Sequence, residues 1–210
     1  MPKLVWGSVG ERIYETGVDR GVLYVGSTPG VAWNGLISIS ESTSGGSAKP
    51  YYMDGVKYLN IASAEEFEAT LNAFSAPREF GPCDGIASIQ NGLLATQQPR
   101  KSFGLSYRTK VGNDVDPEHG YRVHLVYNAL AAPSQRSHKT FGSSIDLTDL
   151  SWSITTLPPS ITGYKPTAHL IIDTTLADSD AVAAAEVILY GDDSHSARIP
   201  TPDELAAIFA

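Results

Sequence analysis

Two long stretches of alternating side chains dominate the middle of the chain. Residues 102–111 alternate without a break, and residues 121–130 nearly repeat the pattern, with Tyr127 and Ala129 ending one apolar side. Side chains of a β-strand alternate between its two faces, so each stretch predicts a strand with one apolar face. Residues 112–120 between them are turn formers and acids. The pattern therefore predicts a long strand pair joined by a polar loop.

Shorter runs predict further strands around this pair. Their positions are residues 11–16, 21–26, 36–40, 139–147, 151–157 and 167–173. A tight hairpin is predicted within residues 51–58, because Asp54 and Gly55 tolerate the positive φ angles of a two-residue type I′ turn. Aromatic residues on both sides of this turn favour strand pairing.

A helix-start signal follows this hairpin. Residues 63–66 read Ser-Ala-Glu-Glu, a capping box whose hydroxyl and carboxylate satisfy the first backbone amides of a helix. The residues placed on one face by helical spacing are Phe67, Leu71 and Phe74. Pro77 would end this helix. The pattern predicts an amphipathic helix that covers one face or edge of the sheet.

The end of the chain has a helical pattern. Residues 179–190 are rich in alanine, and residues 201–204 form a second capping box that opens a short last helix. The apolar side of that last helix consists of Leu205, Ile208 and Phe209. The polar linker 192–198 precedes it. We expect this linker to let the last helix reach away from the body.

Residues 41–50 have the composition of a flexible linker. They are almost all serine, threonine, glycine or other small and polar residues. The segment lies between two predicted strands rather than between two domains. We therefore expect a flexible loop within the domain.

The composition fits a folded, β-rich protein and argues against several kinds of binder. Hydrophobic residues make up 42% and charged residues 18%, and 23 acids against 15 bases give a net charge of −8. Such a surface repels nucleic acid, whose phosphates are bound by Lys and Arg, and disfavours anionic membranes. Cys83 is the only cysteine, so we expect no disulfide within the chain and an inert thiol.

No segment of the sequence reads as a targeting or membrane-spanning element. The N-terminus lacks the apolar run of a signal peptide. No window approaches the roughly 18 apolar residues that cross a bilayer. We therefore expect a soluble protein made in a cytoplasm.

Catalytic and metal-binding patterns are weak. The densest group of possible ligands is Asn113, Asp114, Asp116, Glu118 and His119. An EF-hand loop would need a glycine at its sixth position and a glutamate at its twelfth, so a solvated loop is favoured over a calcium site. His124 and His169 fall on predicted strands, where packing or surface roles are expected, and no zinc spacing or G-x-S-x-G motif occurs. We expect no enzyme, no cofactor and no metal site.

Several segments together resemble one family. They are residues 51–60, the predicted helix with Phe67 and Leu71, and residues 101–109, 120–129 and 199–205. This combination resembles the major tail protein, or tail tube subunit, of long-tailed, non-contractile bacteriophages, and is similar to those of actinobacterial phages. The resemblance spans most of residues 6–209.

The resemblance implies a mainly β (α+β) fold. The family has two packed antiparallel β-sheets, as a sandwich or barrel, with a flanking α-helix, and the chain adds C-terminal helices. The implied organisation is a tail-tube domain of residues 1–198, with an N-terminal arm and an internal flexible loop, followed by a C-terminal helical arm of residues 199–210.

The resemblance also implies a structural role in a virion. Six copies would close a ring, and stacked rings would form the tube through which the genome passes into the host. The loop expected to reach the neighbouring ring and to order on assembly consists of Glu41, Ser42, Thr43, Ser44, Gly45, Gly46, Ser47, Ala48, Lys49 and Pro50. The residues expected to make arm contacts are Trp6, Leu205, Ile208 and Phe209. Asp54 and Gly55 would form the hairpin turn beside that loop.

The partners implied are other copies of the chain and the tape-measure, tail-terminator and distal tail proteins. Double-stranded DNA would pass through the lumen without specific binding, and no membrane would be contacted. The protein would reside in the virion tail after assembly in the host cytoplasm.

Two alternatives are left open by the sequence. The first is a β-sandwich module that binds carbohydrate or a host receptor through Trp6, Trp33, Trp152 and the tyrosines, although core and interface roles are favoured for these aromatics. The second is another virion component, a tail terminator or a capsid decoration protein, which would form a single ring or trimer without polymerising.

Overall fold

The computed structural model describes residues 4–138, 140 and 148–210. Residues 1–3 of the predicted N-terminal arm, and residues 139 and 141–147 of one predicted strand, lie outside the described residues. The strands are β1 (Tyr14–Tyr24), β2 (Val31–Ala32), β3 (Leu36–Gly45), β4 (Ala48–Met53), β5 (Val56–Ala62), β6 (Glu65–Ala73), β7 (Ala87–Gln90), β8 (Leu93–Ala95), β9 (Phe103–Gly112), β10 (Gly120–Ala131), β11 (Leu150–Thr156) and β12 (His169–Asp173). The helices are α1 (Ser179–Tyr190) and α2 (Pro202–Ile208), and a 3₁₀ turn spans Arg78–Phe80.

Eight strands form one antiparallel sheet in the order β2-β1-β9-β10-β11-β6-β3. The eighth, β12, pairs with the first half of β10, on the side where β11 pairs with its last three residues. The hairpins β4–β5 and β7–β8 form separate two-stranded sheets. The predicted fold class, mainly β with antiparallel sheets and a few helices, is confirmed.

The large sheet curls until its two ends approach each other. A Cβ atom built on Gly21 of β1 would lie 2.2 Å from the Cδ1 atom of Leu36 of β3. The concave side encloses a core in which Trp33, Phe80 and Trp152 pack tilted or edge-on, with ring centroids 4.7–5.9 Å apart. The sheet is therefore wrapped into a barrel-like body around these aromatic side chains.

A second core lies between the convex side of the sheet and the two helices. Val123 and Leu125 of β10 pack there against Leu189 of α1 and Leu205 of α2. The side chain of Asp178 caps α1 by accepting hydrogen bonds from two backbone amides of its first turn. Because both faces of β9 and β10 are covered, these two strands form the middle layer of the fold.

A bulge in β10 changes which face its last residues occupy. Val126 and Ala129 both lie in the concave core, although an even strand would place them on opposite faces. The register shifts between these two residues, and Asn128 has a φ of 47°. The prediction that Ala129 shares a face with Tyr127 is therefore wrong, because the bulge inserts one residue.

The helix predicted after residues 63–66 is wrong, because residues 65–73 form strand β6 between β3 and β11. The most buried residues of this segment are Ala69, Leu71 and Ala73, with a period of two, whereas Phe74 is half exposed. Burial against two neighbouring strands outweighs the local helix-start signal. The helix that flanks the sheet is α1.

The predicted C-terminal helices are present, but α2 does not reach away from the body. Its capping box forms, with Thr201 and Glu204 exchanging side-chain and backbone hydrogen bonds. Leu205 is buried in the second core, and the Arg198 amide donates to the carbonyl of Ile188 in α1. The preceding linker is therefore held against α1, which turns the last helix back onto the body.

Candidate assembly surfaces

The most exposed ordered element is the β4–β5 hairpin, residues 48–62, called here the exposed hairpin. Asp54 and Gly55 connect its strands with φ angles of 52° and 78°. Positive φ at both central residues is the geometry of a type I′ turn, whose twist matches that of paired strands. The sequence Asp-Gly therefore fixes where this hairpin turns.

One face of the exposed hairpin is apolar. Residues paired directly across two strands share a face, and the pairs on this face are Lys49–Ile61, Tyr51–Leu59 and Met53–Val56. The opposite face carries the pairs Pro50–Asn60 and Tyr52–Lys57. A register shift between Tyr51 and Tyr52 gives Tyr58 no direct partner. The hairpin is thus amphipathic.

No part of the described chain covers this apolar face. Every residue of β4 and β5 is exposed. Met53, Val56 and Leu59 retain 58%, 69% and 47% of their accessible surface. A contiguous apolar face on an ordered element is rare on the surface of a monomeric protein and marks an interaction site.

The predicted flexible loop 41–50 is mostly β-strand. Residues 41–45 continue β3 and pair with β6, and residues 48–50 begin β4. Gly45 has a φ of 82°, and a Cβ atom there would lie 2.2 Å from the carbonyl oxygen of Ala64. The chain therefore bends at Gly45–Gly46, and strand pairing holds the flanking residues 41–45 and 48–50. Serine and threonine were misleading here, because both are compatible with an exposed edge strand.

Two further exposed apolar segments border the barrel. The N-terminal segment presents Trp6, which is 82% exposed, together with other apolar side chains, and the β7–β8 hairpin does the same. The exposed apolar residues of these two segments are Leu4, Val5, Trp6, Val9, Ile13, Ile89, Leu93 and Leu94. The predicted arm residue Trp6 is therefore free to contact a partner.

The C-terminal residues predicted to make arm contacts are divided between core and surface. Leu205 is buried, Ile208 is half-buried, and Phe209 at the end of α2 is partly exposed. Leu205 is used inside the subunit. Phe209 is the one of the three that offers substantial surface.

Charge distinguishes the exposed hairpin from the rest of the chain. It contains two lysines, Lys49 and Lys57, and one acid, Asp54, which gives it a net charge of +1. Since the whole chain carries −8, the remaining residues carry −9. The slightly basic hairpin is therefore electrostatically complementary to the acidic body of another copy, whereas two such hairpins would repel each other.

The acidic loop 113–119 is occupied by its own hydrogen bonds. The Asn113 Oδ1 atom accepts from the amides of Val115 and Asp116, and Asp114 accepts from the amide of Gly10. Lys110 lies 3.6 Å from Glu118. Asn113 thus forms the turn of the loop, and Asp114 and Glu118 contact the neighbouring residues Gly10 and Lys110.

Two of the three tryptophans that suggested sugar binding are buried, and so is the single cysteine, whereas Trp6 is exposed. Trp33 and Trp152 retain 3% and 1% of their surface and donate their indole N–H groups to Ser75 and Asp84. They cannot serve as stacking surfaces for a sugar. Burial raises the pKa of the Cys83 thiol to about 11, which suppresses the nucleophilic thiolate.

Possible metal ligands meet at one end of the barrel, near the outer half of β3. Glu41, His124 and His169 bring one ligand atom each to within 4.8 Å of the others. The two histidines were expected to be packing or surface groups. The strand pairing that joins them was not readable from their spacing of 45 residues.

No protein-family model and no curated protein matches the sequence. No helix within the described residues is long and apolar enough to cross a membrane.

Solved structures provide distant structural neighbours. A chain of the 6-fold symmetrised cryo-EM structure of the anti-feeding prophage baseplate aligns over 82% of this chain and 100% of its own, at 9% identity and a TM-score of 0.40. A chain of the PVC sheath–tube complex of an extracellular contractile injection system aligns over 74% and 89%, at 15% identity and a TM-score of 0.35. A chain of the anti-feeding prophage cap, which terminates the tube, aligns over 83% and 97%, at 13% identity and a TM-score of 0.35.

Proposed function

We propose that this protein is the subunit of a phage tail tube that polymerises through its exposed hairpin. The observation that carries the proposal is the apolar face formed by Tyr51, Met53, Val56, Leu59 and Ile61, which is ordered in the subunit yet uncovered. Burying it against a neighbouring copy would gain roughly 25 cal/mol for each Å² of apolar surface removed from water.

The architecture of the subunit supports assembly into stacked rings. Strand β3 and the short strand β2 lie at the two ends of the sheet order. Free sheet edges favour pairing with another chain. Exposed apolar residues occur on the hairpin, on the N-terminal segment and on β7–β8. Several separate surfaces are what a subunit needs to contact neighbours both around a ring and along a stack.

The finer features follow from the sequence resemblance. Six copies would form each ring, no contractile sheath would surround the tube, and the phage would infect an actinobacterium. Tape-measure, tail-terminator and distal tail proteins would be the partners. Double-stranded DNA would traverse an acidic lumen without sticking, because acids repel phosphates. The protein would be assembled in the host cytoplasm and would remain in the virion tail.

A matched pair of charge substitutions tests the hairpin contact. Leu59→Asp places a charge on the apolar face, and Asn60→Asp places the same charge on the opposite face of the adjacent position. Wild type and Asn60→Asp should form tubes visible by negative-stain electron microscopy as concentration rises. Leu59→Asp should stay dispersed in light scattering while keeping the wild-type circular dichroism spectrum.

Other outcomes would replace this function by one of its alternatives. Single rings that do not lengthen, with or without added tail partners, would identify a terminator. A discrete trimer would point to a decoration protein. A monomer that binds immobilised glycans at every concentration would overturn the structural role altogether.

A further inference from the structure

The polar end of the barrel contains a cluster that the tube function does not use. The Nδ1 atom of His124 lies 3.1 Å from the Nε2 atom of His169 and 3.3 Å from the Oε1 atom of Glu41. The Nδ1 atom of His169 lies 3.8 Å from the other oxygen of Glu41. Two imidazoles and a carboxylate thus face one another across the end of the core.

The topology accounts for this meeting. In the β10–β12 ladder His124 pairs with Ile171, and Val126 pairs with His169, so the two histidines are diagonal neighbours on the concave face. Glu41 arrives from β3 on another part of the curled sheet. Three strands that are distant in sequence therefore supply one ligand atom each.

Both histidine side chains lie largely inside the core, with 5% and 12% of their side-chain surface exposed. Imidazole ligates metals only when neutral, so binding a metal ion between the two facing nitrogens would release the proton that they share.

The charge of the surroundings leaves room for a divalent cation. The cluster and its neighbours comprise the carboxylates of Glu15, Glu41 and Asp173 and the guanidinium of Arg122, which bridges Glu15 and Asp173. Three negative charges against one positive charge leave an excess of two.

We propose that Glu41, His124 and His169 bind one divalent transition-metal ion of the class that takes imidazole and carboxylate ligands, with Zn²⁺ as its representative. In a tetrahedral zinc site with bonds of about 2.0–2.1 Å, the ligand atoms lie about 3.3 Å apart. The separations of 3.1 and 3.3 Å around His124 Nδ1 match that edge length, and the ligand atoms of Glu41 and His169 lie within 4.8 Å of each other, a gap that rotation of the exposed Glu41 side chain would close. Glu41 is exposed to solvent, which gives the ion a path of entry.

The surrounding hydrogen bonds prepare the ligands. The Nε2 atom of His124 lies 3.0 Å from the Thr109 hydroxyl and 3.4 Å from a carboxylate oxygen of Glu15; these acceptors hold a proton on Nε2, so the lone pair of Nδ1 faces His169 and Glu41. The Tyr107 hydroxyl donates to Glu41 over 2.6 Å. Such outer hydrogen bonds orient metal ligands and raise their basicity. A bound ion would tie β3 to β10 and β12 at the base of the exposed hairpin.

Calorimetric titration of untagged, chelator-treated full-length protein with ZnCl₂ tests this proposal. We expect one ion per subunit, a higher melting temperature with zinc, and the visible absorption of tetrahedral Co²⁺ when cobalt replaces zinc. Glu41→Gln and His169→Ala should weaken zinc binding at least 10-fold. His195→Ala, at an exposed histidine beside Asp192, should leave it unchanged.

The two ligand substitutions guard against a folding artefact. Glu41 is exposed, so Glu41→Gln should preserve the circular dichroism spectrum even if His169→Ala, within the core, does not. The proposal is overturned if folded wild type binds no zinc, or if Glu41→Gln binds it as tightly as wild type does. The histidine pair would then be a hydrogen-bonded part of the core, and tube assembly would be unaffected by that result.

Discussion

The Tyr24 hydroxyl joins three elements at a single buried point. It donates to the carbonyl of Leu189 in α1 over 2.8 Å and lies 3.1 Å from the Ser106 hydroxyl of β9. Tyr24→Phe should lower the free energy of unfolding by about 1–2 kcal/mol, because two buried polar groups lose their partner. Urea denaturation followed by circular dichroism measures this difference.

Tyr127 supplies the matched control for that substitution. Its hydroxyl is also buried, but it has no hydrogen-bond partner among the described residues. Tyr127→Phe should therefore change the stability by less than about 0.5 kcal/mol or increase it slightly. Equal losses for both variants would show that the Tyr24 hydrogen bonds contribute nothing specific.

Asp19 gives the fold a dependence on acid. Its carboxylate accepts two hydrogen bonds of 2.7 Å from Arg108, and these bonds lower the pKa of Asp19. A depressed carboxyl pKa stabilises the fold above the unfolded value of about 3.9 and loses this effect as the pH falls through the folded pKa. Asp19→Asn should cost up to about 1 kcal/mol at pH 7, since the pair is partly exposed, and less at pH 3.

Denaturation at the two pH values separates this ion pair from a general surface effect. Asp193→Asn removes a carboxylate in an exposed segment, so its cost should be near zero. A cost for Asp19→Asn that is independent of pH would mean that packing, rather than charge, is lost.

At the scale of elements, the closure of the barrel depends on Gly21. A Cβ atom there would meet the Cδ1 atom of Leu36 at 2.2 Å and the Cβ atom of Trp33 at 3.4 Å. Gly21→Ala should destabilise the fold by about 1 kcal/mol, the low end for overpacking, because the clash is with the end of a flexible side chain. Since Leu36 is the closer neighbour, Leu36→Ala in the same chain should recover part of that loss.

A double-mutant cycle measures this coupling. Chemical denaturation of wild type, Gly21→Ala, Leu36→Ala and the double variant should show that the double loss is smaller than the sum of the single losses by at least about 0.5 kcal/mol. Strict additivity would mean that the side chains at positions 21 and 36 do not contact each other.

The sequence predicted the elements whose pattern is local. The strand pair β9–β10 follows from the alternation of side chains and helix α1 from its alanine-rich composition, with bounds close to those observed. Segment 65–73 could not be assigned in this way, because Phe67 and Leu71 satisfy both a helical and a strand spacing. The burial of Ala69 and Ala73 together with Leu71 shows the period of two that is typical of a strand, but this burial is known only from the structure. Neighbouring strands, which the local sequence does not contain, settle that choice.

The candidate surfaces were predictable to different degrees. The apolar face of the exposed hairpin can be read from the alternation of Val56, Leu59 and Ile61 once the turn is placed, apart from the bulge at Tyr58. The cluster of Glu41 and the two histidines could not be read, because it depends on how the sheet curls. Composition assigned Glu41 to a flexible loop, whereas strand pairing fixes it.

At the scale of the whole molecule, two electrostatic effects oppose each other during assembly. Copies that each carry −8 repel one another, while the exposed hairpin with its net charge of +1 is attracted to an acidic neighbour. Salt weakens both effects, since the screening length falls from about 30 Å at 0.01 M to about 8 Å at 0.15 M. Burial of the apolar face does not depend on this screening.

Because each copy carries −8 and the exposed hairpin only +1, we expect the repulsion between whole subunits to be the larger effect, so added salt should favour polymerisation. We expect the critical concentration for tube formation, measured by sedimentation and light scattering, to fall between 0.01 and 0.15 M NaCl. Leu59→Asp should stay dispersed at both concentrations, because its defect is a charge buried in an apolar contact rather than long-range repulsion. A critical concentration that rises with salt would contradict this account, since the contact would then depend on ion pairs of Lys49 and Lys57 instead of the apolar face.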